Sequence, residues 1–419
     1  MKISSARTMT IGFKRTFPAL TYRNFRYFWF GQCISLVGTW AQATAQQWLV
    51  YTLTKSALLL GLLGAAQFGP VMFLSLFAGV FVDRYPKKKM LLFTQTALMI
   101  QAFVLAILVW SGHIVYGEVF VLAALMGLVN TLDLPTRQSF MPDLVDRKDL
   151  RSAIGLNSAI VNLARMIGPA LAALLMARFG AGLLFLINGI SFLPVIYGLY
   201  LIKIKDKPPV LKKVEKNVLS EILEGLNYIR RSPALLGAIL SMLAVGTFVM
   251  NFNVVIPLFA AEVLKQDVHG YGLLLSASGA GSLVGALLVA TQAKGNPRFR
   301  MLFGSALLVS ALLVLLNFIF TLPLAIVMFV IIGFTNIIFI TTANSTIQLN
   351  SGEEYRGRVM SVYSFAFAGT TPIGNLFAGI MTEKLGPGMG FLICGAISGL
   401  LIFIIVINTV VKKRALLPQ

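Results

Sequence analysis

Apolar residues run in long stretches at approximately 27–53, 57–82, 90–111, 117–134, 153–177 and 182–202, then again at 235–260, 271–293, 301–320, 322–346, 359–381 and 388–411. Crossing a hydrocarbon layer takes about 20 residues of helix, and each stretch approaches or exceeds that length. The pattern predicts an all-α membrane protein with twelve transmembrane helices in two six-helix bundles. They occupy 27–202 and 235–411, with a tail at 1–26, a linker at 203–234 and a second tail at 412–419. The first 26 residues are basic, and the apolar run that follows is long enough to stay in the membrane as a start-transfer anchor. In the linker, Pro208-Pro209 precede Val218, Leu219, Ile222, Leu223, Leu226 and Ile229 at helical spacing, with Asn217 to cap and Pro233 to stop. This reads as an amphipathic helix on the membrane surface, where basic residues meet anionic headgroups, and equally as a tether between the halves.

Composition narrows the class. Of 419 residues 57% are hydrophobic and 12% charged, whereas a soluble domain sits near half apolar and about a quarter charged. Disordered, coiled-coil, collagenous and disulfide-scaffold chains are excluded with it. Cys33 and Cys394 lie far apart inside apolar runs and read as packing residues, with no zinc or redox spacing.

The net charge of +20 would suggest nucleic acid in a soluble protein, but its distribution says otherwise. Of the 35 Lys and Arg, 30 fall in the two tails and one alternating set of loops, against four (Lys55, Arg178, Lys265, Lys384) in the opposite set. Such asymmetry places both termini in the cytoplasm and disposes of a nucleic-acid partner. The remaining basic residue, Arg165, lies within a span.

The halves are related in sequence. A shift of 211 residues places Gly61-Leu62-Leu63 on Gly272-Leu273-Leu274, Pro86 on Pro297, Lys87 on Arg298, Lys89 on Arg300 and Met90 on Met301. Internal repeats of this kind mark secondary transporters, with substrate bound near the midplane between repeats.

After span 2, Gly79 is followed by Asp83-Arg84 and the cluster Lys87-Lys88-Lys89. This resembles the cytoplasmic loop signature of the major facilitator superfamily, and the resemblance covers the whole chain, with a degenerate copy after span 8. Gly79 removes a side chain so that a neighbouring helix can approach, and Asp83 is a fixed anion suited to a positive helix N-terminus. The resemblance implies that this helix is span 11, which begins near Arg356-Gly357-Arg358. The implied role of Gly79, Asp83 and Arg84 is a latch closing the cytoplasmic side. Further segments resemble the enterobactin exporter and macrolide efflux branch. They are Gly38-Thr39-Trp40, Gln47-Trp48-Leu49-Val50-Tyr51, Asp133 to Gln138, Gly225 to Arg231 and Gly357 to Ser361. Gly168-Pro169 matches the core of the helix-5 signature of drug antiporters, although Ala172 and Ala173 stand where paired glycines usually follow. Together these imply an exporter.

Candidate coupling groups are few. Arg165 lies about 16 Å along span 5 from its cytoplasmic start, where a charge costs about 2.5–3.5 kcal/mol to insert and should face a cavity or a partner. Ser158, Asn162 and Arg165 share one helix face. Asp133 lies about 22 Å inward from Glu118 along span 4, shallowly buried on the cytoplasmic side. There it could take up a proton, opposed by Arg137 or Arg165, or could merely pair with Arg137 where the span ends ahead of Pro135. Span 1 carries Gln32, Ser35, Thr39, Gln42 and Gln46 as one polar stripe. Asn251 and Asn253 in span 7, Asn336 and Asn344 in span 10, and Tyr363, Phe365 and Phe367 in span 11 add neutral amides and aromatics. Such groups suit an amphipathic, poorly charged substrate, while amides also serve as interhelical hydrogen-bond partners.

The expected function is secondary active export of an amphipathic small molecule (a drug, macrolide or siderophore) by a proton antiporter working through alternating access. A lipid or lysolipid flippase and an uncoupled facilitator are the alternatives on the same scaffold. The expected setting is the cytoplasmic membrane of a bacterium, with protons, membrane lipids and the small-molecule substrate as partners and the chain a monomer. No catalytic, metal or cofactor constellation and no Walker loop is recognisable, so neither an enzyme nor intrinsic ATP-driven transport is expected.

Overall fold

The computed structural model describes residues 17–203, 218–291, 299–352 and 354–415. Helix occupies all twelve predicted spans, and no strand occurs among the described residues. The helices are α1 (Arg23–Thr54), α2 (Ala57–Arg84), α3 (Lys87–Trp110), α4 (Tyr116–Phe140), α5 (Leu150–Leu201), α6 (Val218–Arg231) and α7 (Pro233–Phe248). They continue as α8 (Phe252–Leu258), α9 (Val268–Thr291), α10 (Phe299–Leu316), α11 (Leu322–Asn350), α12 (Arg356–Ser364), α13 (Thr371–Leu385) and α14 (Pro387–Ala415). Among the described residues, eight helical stretches are long and apolar enough to cross a membrane. One of them, Arg147–Leu201, is 55 residues long, enough for two crossings at about 20 residues each.

Four local features depart from the regular pattern, each with a chemical cause. Spans 5 and 6 form one element, α5, bent at Gly180, whose φ of 75° and ψ of 175° a side-chain-bearing residue rarely adopts. α4 continues through Pro135 to Phe140, so Asp133 and Arg137 both lie within a helix, one turn apart. Proline removes one backbone donor there, and the Thr136 hydroxyl supplies another nearby, donating to Leu132 O at 2.6 Å. Span 7 is split into α7, α8 and a π turn at Phe259–Val263. Asn251 donates its side-chain amide to Gly246 O and Thr247 O, occupying carbonyls at the end of α7. Span 11 is interrupted by a π turn at Phe365–Gly369 ahead of Pro372, which has no N–H to continue the ladder.

The amphipathic linker helix is present as α6, which meets α7 at a bend of 114°. Pro233 starts the next helix as well as ending this one, and the Ser232 hydroxyl caps α7 by accepting Leu235 N–H. Pro208, Pro209 and Asn217 fall outside the described residues.

Packing divides the chain into two compact units: residues 1–45, 74–114 and 125–212, and residues 46–73, 115–124 and 213–419. In the first, α1 lies against α5 through glycines. A Cβ on Gly31 would come within 2.8 Å of the Val195 backbone, and one on Gly168 within 2.5 Å of Trp40 Cβ. Phe25, Phe28, Leu91, Phe140 and Leu199 form an apolar core there. The second unit is built on a larger core that includes Phe259, Tyr271, Phe329, Phe339 and Phe391. It also takes in α2 from Ala57 to Phe73, which packs on α13 so closely that a Cβ on Gly61 would sit 2.5 Å from Asn375 O.

Candidate functional site

The first unit holds a charge network drawn from three helices. The side chain of Asp133 is completely buried. Its Oδ1 accepts the Thr94 hydroxyl at 2.7 Å and the Gln95 amide at 2.8 Å, both from α3. Its Oδ2 is ion-paired to Arg137 Nη2 one turn along α4, and Arg137 Nη1 donates to Gln32 Oε1 of α1 at 2.7 Å. A buried carboxylate needs this saturation, because an unpaired one would be neutralised or expelled. Three atoms around the pair nevertheless remain buried without hydrogen-bond partners: Gln32 Nε2, Gln95 Oε1 and Arg137 Nε.

Further along α1, Gln42 is held from both sides. Its Nε2 donates to Gln101 Oε1 at 3.0 Å and its Oε1 accepts Asn188 Nδ2 at 2.8 Å. Asn188 in turn contacts the Ser191 hydroxyl at 3.1 Å. Gln32, Ser35, Gln42 and Gln46 are all buried. Thr39 on the same stripe is exposed, and its hydroxyl donates to Ser35 O at 2.8 Å.

Arg165 is separate from the Asp133 network. Its guanidinium lies 5.1 Å from the centroid of the Trp40 ring, and its Nε is buried with no hydrogen-bond partner. Asn162 folds back on α5, donating to Ser158 O at 2.9 Å.

The second unit carries the remaining amides and aromatics. Asn251 is buried against the end of α7. Asn336 Oδ1 is buried without a partner, and Asn344 accepts from Gln348 on its own helix. Tyr363 and Phe367 stack with centroids 6.1 Å apart, Phe367 being exposed and Tyr363 buried. The predicted latch residues Gly79, Asp83 and Arg84 fall outside the residues whose surroundings are described. The adjoining lysines are described, and they do more than set topology. Lys87 is 2.8 Å from Asp143, and Lys88 donates to Tyr200 O at 3.2 Å and Ile202 O at 2.7 Å, binding the carbonyl end of α5.

Several partners escape a reading of the sequence by span and face. Thr94, Gln95 and Gln101 of α3 and Asn188 of α5 are signalled only as polar residues within apolar runs. Trp40 carries no signal beyond its place in a motif.

The long apolar crossings and the order of the helices define a multi-pass membrane protein with the major facilitator fold. Solved structures of the same architecture include the nucleoside transporter NupG, with a TM-score of 0.69 at 12% identity over 92% of this chain and 98% of that one. Another is a bacterial homolog to the human lysosomal transporter Spinster, with a TM-score of 0.68 at 14% identity and 93% coverage of each. Within that superfamily the chain belongs to the transmembrane secretion effector family, an efflux-type branch whose model matches residues 14–416. Relatives in sequence include the staphyloferrin A transporter of Staphylococcus aureus, 24% identical over 376 residues, 88% of this chain and 92% of that one. Macrolide efflux protein A of Streptococcus pyogenes is 23% identical over 390 residues, with coverage of 88% and 92%. The multidrug efflux pump Tap of Mycolicibacterium fortuitum is 25% identical over 354 residues, with coverage of 82% and 86%.

Proposed function

We propose that this chain is a proton-driven exporter of small amphipathic molecules working by alternating access, with the Asp133–Arg137 pair as its proton-handling group. The observation that carries the reading is the complete burial of Asp133 in a hydrogen-bonded ion pair. Charged pairs inside membrane helices are expensive and are retained chiefly for relays and pathways. Protonation cancels the Asp133 charge and releases Arg137, which gives the proton a mechanical consequence. The substrate class follows from the amides Asn336 and Asn344 and the aromatics Tyr363 and Phe367, and from relatives whose names record a macrolide, a siderophore and several drugs as cargo. The setting is the cytoplasmic membrane of a bacterium, both termini facing the cytoplasm as the distribution of Lys and Arg requires, and the working unit is a monomer.

The test is transport in proteoliposomes with an imposed pH gradient, screened across dyes, macrolides, siderophores and lysolipids. Asp133→Asn should abolish gradient-driven export while leaving substrate binding measurable. Unchanged uphill export by that variant overturns the assignment of the proton to Asp133. Export by the unmodified chain that is indifferent to the gradient identifies an uncoupled facilitator, and a substrate list confined to lysolipids identifies a flippase.

A further inference from the structure

α5 presents two accessible faces of opposite character. Leu163, Ile167 and Leu174 are 42%, 38% and 65% exposed and form an apolar stripe suited to acyl chains. Ser158, Asn162 and Arg165 project about 150° away from that stripe around the helix. Ser158 is exposed and Asn162 partly so. An accessible polar stripe turned away from the lipid-facing one borders water-filled space, since hydroxyls, amides and guanidinium groups are not left against hydrocarbon.

Arg165 closes this polar stripe at the middle of the segment from Leu150 to Gly180. It is 15 residues from Leu150 and 15 from the break at Gly180, hence about 22 Å from either end. Gly168, one turn further on, lets the Trp40 backbone approach α5 and so seats the indole under the guanidinium. Among the described residues no carboxylate lies within ion-pair distance of Arg165, and its Nε is buried without a partner. Asp133, the buried acid of the same unit, is already saturated by Arg137, Thr94 and Gln95. A lone cation at mid-span with an aromatic beneath it and an open polar wall beside it is an incomplete ion pair.

We propose that the missing half comes from the cargo: Arg165, seated on Trp40, is the recognition point for the carboxylate of a monoanionic amphiphile. This rests on the exporter reading and narrows its substrate class. The other groups named on the wall are neutral, so one negative charge balances the site and a dianion would leave an excess. The guanidinium lies over the Trp40 ring, and its fork matches a planar two-oxygen group in bidentate fashion. The apolar body of the ligand then lies along the indole.

The test is fluorescence-polarisation titration of the full chain in lipid nanodiscs with three probes: NBD-dodecanoate, its methyl ester and NBD-lysophosphatidylglycerol. The acid should bind at least about tenfold more tightly than the ester, an advantage lost in Arg165→Gln and partly kept in Arg165→Lys. Equal binding of acid and ester by the unmodified chain overturns the proposal, and that comparison needs no variant to fold. An acid preference that survives Arg165→Gln overturns it too. Tighter, Arg165-dependent binding of the lysolipid overturns the carboxylate in favour of a phosphodiester headgroup. Gradient-driven transport of a neutral dye, measured in parallel, separates the two levels of inference. Transport of the dye without an acid preference refutes the role of Arg165 alone. Arg165-dependent binding of the acid without any transport supports the site and refutes the exporter.

Discussion

Glu383 at the end of α13 caps the first turn of α2, its Oε2 accepting the Ala57 N–H at 2.7 Å, the Leu58 N–H at 3.2 Å and the Ser56 hydroxyl at 3.0 Å. A carboxylate is favoured at the positive end of a helix, and here it ties together two elements more than 300 residues apart in sequence. Glu383→Ala should lower stability by about 1 kcal/mol, the usual cost of losing a cap. Glu383→Gln, which keeps an acceptor oxygen, should lose less. The checks are thermal unfolding in detergent and the labelling rate of a cysteine placed at Ser56, which should rise in the alanine variant. Equal labelling in both backgrounds would show that the cap does not hold this seam.

The Asp133–Arg137 pair predicts strong non-additivity. Arg137→Ala strands a fully buried carboxylate and should cost about 3–5 kcal/mol. Adding Asp133→Asn should restore much of that loss, since an amide carries no charge to compensate and still meets Thr94. Denaturation of the two single variants and the double variant closes the cycle. Additive losses would mean that the ion pair contributes no coupling.

Gln42 tests whether the α1 stripe is scaffolding or cavity lining along its length. Gln42→Leu leaves Asn188 Nδ2 and Gln101 Oε1 without their partner. It should destabilise the first unit by about 1–2 kcal/mol with KM for export little changed. A large rise in KM without loss of stability would place Gln42 against substrate instead.

Helix positions were legible because hydrocarbon leaves a backbone no alternative to internal hydrogen bonding, so length and apolarity suffice to locate the spans. The Asp133–Arg137 pairing was legible as an i, i+4 spacing, although Pro135 suggested that the helix would stop between them. Partnerships between distant helices were not legible. Glu383 and Ala57, or Gln42 and Asn188, meet only because of how whole helices are registered, and glycine contacts such as Gly61 on Asn375 set that register. The α1 stripe shows the same limit. Periodicity put Thr39 and Gln42 on one face, but only packing decides that Gln42 is enclosed by α3 and α5 while Thr39 stays open. The break after α7, where Asn251 takes carbonyls, and the π turn ahead of Pro372 are likewise local effects that an apolar run conceals.

Tyr22, ahead of the first span, offers a prediction about pH. Its hydroxyl donates to Asp149 Oδ2 at 2.8 Å and to Asp146 Oδ2 at 2.9 Å, tying the start of α1 to the loop after α4. The hydrogen bond to Asp149, followed by burial, the hydrogen bond to Asp146 and repulsion from both carboxylates, raises the phenol well above its ordinary value of 10.0. A folded-state value above the unfolded one means that the protonated phenol favours the native structure. That contribution is fully present below pH 10.0 and fades as pH climbs from there toward the folded-state value. Tyr22→Phe should therefore lower the melting temperature by a constant amount from near neutrality up to about pH 9, with the gap to the unmodified chain closing above pH 10.0. Parallel melting curves across that range decide it. A gap that widens with alkalinity would mean that the ionised phenolate is the form the native loop prefers, contrary to two carboxylates within hydrogen-bond distance.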